Sequence, residues 1–415
     1  MTEGVMTLHK KSTAQPCRGC AQEAVELLLD LGAQPPSNRF LNSIEDRVDR
    51  HPLRAGLCRS CGLLQLIDPM PVRLTRPRMG WLRYNEPEAH LDAVCEQLRG
   101  LPDLSAELRV LGVSYKDDST LARLARSGAQ THRLDLVQDW GVQEPHAQLE
   151  SLQQAVTPQL TAALAQRHGR ADVLIARHVL EHAHQPRAFL TALLELVKPG
   201  GYVMFEVPAA EKMIAAADHP LLWEEHVAYF TAATLERFFA AAGVPASLSR
   251  YAYVLEDSLV AVVRNAPVDS QPRVLADAAE IEATQALGKQ FEGLRAGYQR
   301  QLATWRGLHK HVALFGAGHL ALKFVNLYGL SDLIDCVIDD NPQKQGTFLP
   351  GSCLPVVSSS ILQDGRIDFC LLALNPDREA AVIASQPQFA ARGGHFLSIF
   401  RCSPIALQPS TTSKR

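Results

Sequence analysis

The sequence predicts an α/β protein in which two strand–helix blocks follow a small cysteine-bearing lobe. Three observations predict it. Strand-like and helix-like segments alternate from about residue 107 (ELRVLGVS, STLARLARSGA, QTHRLDL), the pattern of an α/β sheet. A second alternation starts at HVALFGAG and runs to HFLSIF. Ahead of both, Cys17-x2-Cys20 and Cys58-x2-Cys61 fall in a segment with little regular periodicity.

Size and composition agree. At about 150 residues per domain, 415 residues give roughly three domains. A hydrophobic fraction of 47% and a charged fraction of 20% allow sizeable cores. Lys plus Arg number 41 and Asp plus Glu 44, a formal charge of −3, which argues against a general nucleic-acid binder. No apolar run reaches the roughly 18–20 residues of a membrane span, and MTEGVMTLHKKSTAQPC lacks the apolar core of a signal peptide. Nine Cys without a secretory signal read as reduced thiols in the cytoplasm, so clustered Cys are metal ligands rather than disulfides.

The two cysteine knuckles suit zinc. Each places two thiolates on one face of a tight turn, and two complete a tetrahedral sphere. No further ligand is needed, so the site at Cys17, Cys20, Cys58 and Cys61 is expected to be closed and structural. The 37 residues between the knuckles must form their own loop or hairpin.

In the first block the turn after VLGVS offers Gly112, Ser114, Asp117 and Asp118 to a ligand. Asp135 follows about 20 residues on, where an acid accepts ribose hydroxyls. The strand ADVLIAR runs into His178, Glu181, His182 and His184, and ligands of open α/β sheets sit at such strand ends. LLWEEHVAYFT brings Glu225 and His226, an acid beside a His, as a base with its carboxylate. In extended chain these neighbours would point to opposite faces. Residues 272–307 read as one long helix or a broken pair, and the tail from 406 as disordered. The second block opens on a Gly316-x-Gly318 turn, with Asp339-Asp340 about 22 residues later. That turn lacks the third glycine of a dinucleotide site.

Together, the knuckles with QPPSNRFL and HPLRAGLCRSCGLLQL, then LIARHVLEH, LVKPGGYVMFEVP and EEHVAYF, then ALFGAGHLALKF and VIDDNPQKQGTFLPGSCLPV, resemble one family. It is the zinc-containing, S-adenosylmethionine-dependent C-methyltransferases of nucleotide-linked deoxysugars. The resemblance implies a zinc-binding lobe (1–75), a Rossmann-like methyltransferase domain (76–270), a helical linker (271–310) and a second Rossmann-like domain (311–405). It implies S-adenosylmethionine and structural zinc as cofactors and a nucleotide-linked keto-sugar as substrate, with no nucleic acid, membrane or NAD. A base removes the proton α to the ketone, and the enolate carbon takes the methyl group. His226 matches the family's base and Glu225 its neighbour. His182 and Tyr84 match groups near the keto oxygen.

The cofactor loop departs from the family. Where the family has Glu-Ile-Gly-x-Asn-Asp-Gly, this chain has Gly112-Val113-Ser114-Tyr115-Lys116-Asp117-Asp118, so only Asp117 matches. The family's later Gly-Gly is Glu256-Asp257. The resemblance therefore implies cofactor contacts at Gly112, Ser114, Asp117, Asp135 and His178 with altered geometry. A second reading is a catalytically inactive relative that binds a nucleotide sugar or a partner protein. Binding of S-adenosylmethionine separates the two.

Overall fold

Of the loop or hairpin expected between the knuckles, the amino-terminal lobe has the hairpin, built into a sheet. In a computed structural model, which describes residues 15–79, 86–266 and 275–409, β1 (Val25–Gln34) pairs antiparallel with β2 (His51–Cys58) and β2 with β3 (Leu64–Leu66). Two register shifts interrupt β1, at 27/29 and 30/33. Such bulges break the period-2 pattern, which is why the strand is hard to see in the sequence.

The central sheet has the order β5-β4-β6-β7-β10-β9, built from β4 (Arg109–Gly112), β5 (Gln130–Arg133), β6 (Ala171–Arg177), β7 (Val197–Pro208), β9 (Ala246–Tyr251) and β10 (Ser258–Arg264). β4 to β7 are parallel and β10 is antiparallel to both its neighbours. Every residue of β6 is buried, as expected of a strand covered on both faces. The short β8 (Ala228–Tyr229) leaves this domain and pairs with β3, so the lobe's sheet is completed by methyltransferase-domain chain.

A 30-residue helix, Ala278–Gly307, leads to the last sheet. Its five strands, all parallel, run β13-β12-β11-β14-β15: β11 (Val312–Phe315), β12 (Cys336–Ile338), β13 (Val356–Val357), β14 (Phe369–Leu372) and β15 (His395–Ser398). The hydrophobic cores ignore these borders. One joins Cys17, Val25 and Cys58 to Leu174 and Phe205; another joins Leu31 and Phe40 to Leu287, Phe291 and Phe324. Among the described residues no helix is long and apolar enough to cross a membrane.

Candidate active site and zinc site

The two knuckles have the same backbone. Ala21 N–H donates to Cys17 O at 2.8 Å and Gly62 N–H to Cys58 O at 2.9 Å, and both donors sit at positive φ, 61° and 81°. Each turn thus closes on the carbonyl of its own first cysteine. Cys17 Sγ and Cys61 Sγ are 3.6 Å apart, Cys20 Sγ and Cys58 Sγ 3.7 Å, and all four sulfurs lie within 4.8 Å of one another. Zn–S bonds of about 2.3 Å place tetrahedral sulfurs about 3.8 Å apart, so the four residues fit zinc. Gln65, 2% exposed and not anticipated, donates to Cys17 Sγ and accepts from Arg18 N–H. Arg187 and Arg237 reach the carbonyls of Gly19 and Cys61, docking the knuckles on the central domain.

The cofactor turn is held from within. Ser114 has extended backbone (φ −146°) and its hydroxyl folds back to accept Lys116 N–H at 3.2 Å. A glycine is therefore not demanded by φ here. Asp117 is fully buried and both its oxygens are spent, one on Ser114 N–H and one on Arg177 N–H. This corrects the expectation that Asp117 touches the cofactor: its carboxylate braces the turn. Gly112 makes room for Leu121, which a Cβ would meet at 2.7 Å.

A cavity of about 300 Å³ opens at the ends of β4 and β5, lined by Ser114, Tyr115, Asp135, Leu136 and Gln148 among others. Asp135 Oδ1 accepts from Val137 and Gln138 N–H, fixing the carboxylate at the pocket wall. An acid beside apolar Leu134, Leu136 and Leu149 suits the ribose and ring of an adenosine, so the residues fit S-adenosylmethionine there.

A larger cavity of about 380 Å³ shares Tyr115, Gln148 and Leu149 with the first. All three parts of the chain line it, from Asn38 through His178, Glu181, His182 and His226 to Gly316 and His319. His178, expected beside the cofactor, lines this second cavity only. It sits at φ 50°, with Nε2 3.3 Å from Glu206 and Nδ1 3.6 Å from Glu181. Burial disfavours its imidazolium, but Glu206 and Glu86 outweigh that and raise it to about 10. Glu206 in turn carries Arg177 at 2.5 Å and His90 at 3.0 Å, a buried network that no motif or spacing announced.

Trp223 to His226 form a turn closed by His226 N–H on Trp223 O, not extended chain. Glu225 and His226 consequently both face the cavity. The carboxylate beside the His226 ring is Glu181: donor atoms of Glu181, His182 and His226 lie within 4.8 Å of one another. Burial lowers the pKa of His226 and keeps the ring neutral, although Glu181 and Glu86 oppose this. Burial, Glu150 and Glu224 raise Glu225 well above the carboxylate range. His182 is lowered well below the usual value by burial and then by His226. Its ring bonds the backbone of Glu225 while Nδ1 has no partner. That corrects the expectation that His182 polarises a ketone, because a neutral ring fixed this way offers an acceptor, not a donor. Tyr84 lies outside the described residues.

Glu224, the other acid of the turn, is structural. It is 2.5 Å from Lys323 Nζ and accepts Ser37 N–H at 2.5 Å, all three buried.

The comparisons follow this layout. Residues 17–73 match a zinc binding domain, 88–244 a methyltransferase domain and 275–400 a C-methyltransferase C-terminal domain. The C-methyltransferase NovU of Streptomyces niveus is 24% identical over 405 residues, covering 92% of this chain and 94% of that one. A ubiquinone biosynthesis O-methyltransferase of Burkholderia ambifaria is 33% identical over 134 residues, covering 31% of this chain and 49% of that one. A solved structure of Burkholderia thailandensis 1,6-didemethyltoxoflavin-N1-methyltransferase is 17% identical, covers 44% of this chain and 80% of that one, and has a TM-score of 0.30. Fold and domains define a methyltransferase that uses S-adenosylmethionine and carries zinc. More narrowly, the C-methyltransferase C-terminal domain and the full-length likeness to a C-methyltransferase make the reaction transfer of a methyl group to carbon of a small molecule.

Proposed function

We propose that the protein methylates the carbon next to a ketone on a nucleotide-linked sugar or a similar carbonyl metabolite. The observation that carries this reading is a half-buried His226, its pKa lowered by desolvation, beside Glu181 in a cavity that adjoins the cofactor pocket. A C–H next to a ketone is acidic enough for a positioned imidazole to remove its proton. The enolate oxygen then needs a donor, and His178, held protonated, and Lys116 line the same cavity. S-adenosylmethionine supplies the electrophilic methyl group when bound; Ser114 and Asp135 are the residues that would hold it.

The nucleotide reading rests on the resemblance and on the Gly316–Gly318 turn, which gives the cavity a second wall without side chains. None of the nine cysteines, all among the described residues, forms a disulfide, which supports a reducing compartment, the cytoplasm. The test is incubation with a thymidine-diphosphate 4-keto-6-deoxyhexose in deuterated water, with and without S-adenosylmethionine. The expected result is exchange of the α-proton without the methyl donor and a carbon-methylated product with it. Absence of both exchange and methylation would overturn the reading.

A further inference from the structure

We propose that the outer edge of the central sheet carries a second metal site, in which His132, Asp139 and His168 bind a divalent ion of the imidazole-preferring kind. None of the three lines either cavity, so the site stands apart from the methylation reading.

Three elements bring these side chains together. His132 comes from β5, the edge strand of the sheet, and Asp139 from the turn that follows it. His168 is the last residue of the helix Pro158–His168. One ligand atom from each lies within 4.8 Å of the other two. His168 Nε2 is 2.7 Å from Asp139 Oδ1 and His132 Nε2 is 4.0 Å from Asp139 Oδ2, while the two ring centroids lie 4.8 Å apart. Metal–ligand bonds of about 2.0–2.2 Å set neighbouring ligand atoms about 3–3.5 Å apart, between the two spacings found.

The carboxylate is fixed by its own turn. Asp139 is buried; its N–H donates to Asp135 O at 3.0 Å and its Oδ2 accepts Asp135 N–H at 2.8 Å. Beside it Trp140, 2% exposed, anchors the turn through its indole N–H on Val113 O at 2.9 Å. The His132 side chain is half exposed, which gives an ion a path in and leaves coordination positions to water. Two imidazoles and a carboxylate suit zinc, nickel or cobalt; magnesium and calcium want oxygen throughout. A bound ion would tie β5 and the helix to the turn that also bears Asp135.

Arg167 is the rival cation. One of its guanidinium nitrogens is 3.2 Å from Asp139 Oδ1 and also donates to Gln138 O at 3.1 Å. That side chain is 57% exposed, and a surface pair of this kind is worth little, so an ion held by two rings displaces it. His168 gives up its bond to Asp139 as well: with the ion on Nε2, the ring proton sits on Nδ1.

The experiment uses the whole chain with zinc on its four thiolates, dialysed and then titrated with Zn²⁺ by calorimetry. An open site with three protein ligands holds its ion less tightly than four thiolates, so it fills only in the titration. One further equivalent should bind, and Mg²⁺ should not replace it. His132→Ala, a change at an exposed side chain, and His168→Ala should each weaken that binding about 10-fold or more, since even an outer-shell partner is worth about that much. Arg167→Gln should tighten it about 3-fold by removing the rival. Absence of a further equivalent would overturn the proposal. So would unchanged affinity in both histidine variants, which would put the ion on other groups such as Glu181, His182 and His226, or binding no tighter in Arg167→Gln.

Discussion

The molecule contains the same turn twice and uses it differently. In the central domain β4 runs into a capped turn and a helix, and the acid after β5 is Asp135. In the last domain β11 runs into Gly316-Ala317-Gly318 and a helix, and the acid after β12 is Asp339. Asp135 turns onto its own loop and leaves an open pocket of about 300 Å³ in front. Asp339 instead reaches back to the glycine turn. It accepts Ala317 N–H at 3.1 Å and pairs with Lys344, which also donates to Ala317 O at 2.8 Å. The place that a ribose takes in a dinucleotide fold is thus filled by an internal ion pair. Gly316, at φ 101°, is demanded by Ala373 O, 3.0 Å from where a Cβ would stand. A glycine turn can therefore persist for packing, while a turn without glycine keeps its pocket.

The largest expected effect would break both sides at once. Cys58→Ser should release the zinc and loosen the lobe, because the binding free energy of a structural zinc, about 10–16 kcal/mol, is also folding free energy. Full zinc content in the purified variant would refute the site. Next, chemistry should sit on the central side of the cavity. His226→Asn is expected to lower turnover about 100-fold or more, and to stop α-proton washout, with unchanged affinity for S-adenosylmethionine. Wild-type washout in that variant would assign the base elsewhere. The two acids should then separate. Asp135→Ala is expected to weaken S-adenosylmethionine by about 1–3 kcal/mol and Asp339→Ala to leave it unchanged, as read by calorimetry. Equal losses would mean that both turns serve the cofactor. Smaller still, Lys344→Met should cost about 1 kcal/mol of stability in thermal denaturation, since the pair it breaks is partly buried. Last, acidity sharpens the base. Burial lowers His226, so the neutral form persists to lower pH than in a free imidazole. The acid limb of turnover should accordingly fall below about 6.5, and a limb above that value would point to another group.

The sequence made the zinc ligands legible because paired CxxC spacing is itself the geometry of the knuckle. Asp135, read from spacing, and His226, read through the resemblance, line the two cavities, and their roles rest on the proposal above. Other features depend on contacts that no spacing encodes. Asp117 matched the family motif yet is a buried brace, since a motif does not say which way a carboxylate points. Lys323, in the run HLALKF, reads as a solvent-facing lysine but is fully buried on Glu224. Glu181 was visible only as one of four polar residues after a strand; its place beside His226 comes from chain 45 residues away. The bulges in β1 hid the bounds of a ten-residue strand, so the hairpin between the knuckles could not be told from a loop.

Glu224 is one residue from Glu225 and two from His226, and it ties Ser37 of the first lobe to Lys323 of the last domain. The same turn then enters β8, which the lobe's sheet pairs along β3. Parts of this protein are consequently poor candidates for recombination. A chimera that grafts a foreign last domain onto the first two would keep its cores wherever apolar side chains match, yet lose the lysine that fixes the turn bearing His226. Exchange between relatives should succeed only when residue 323 travels with residue 224, so inheritance at these two positions is expected to be linked although they lie 99 residues apart.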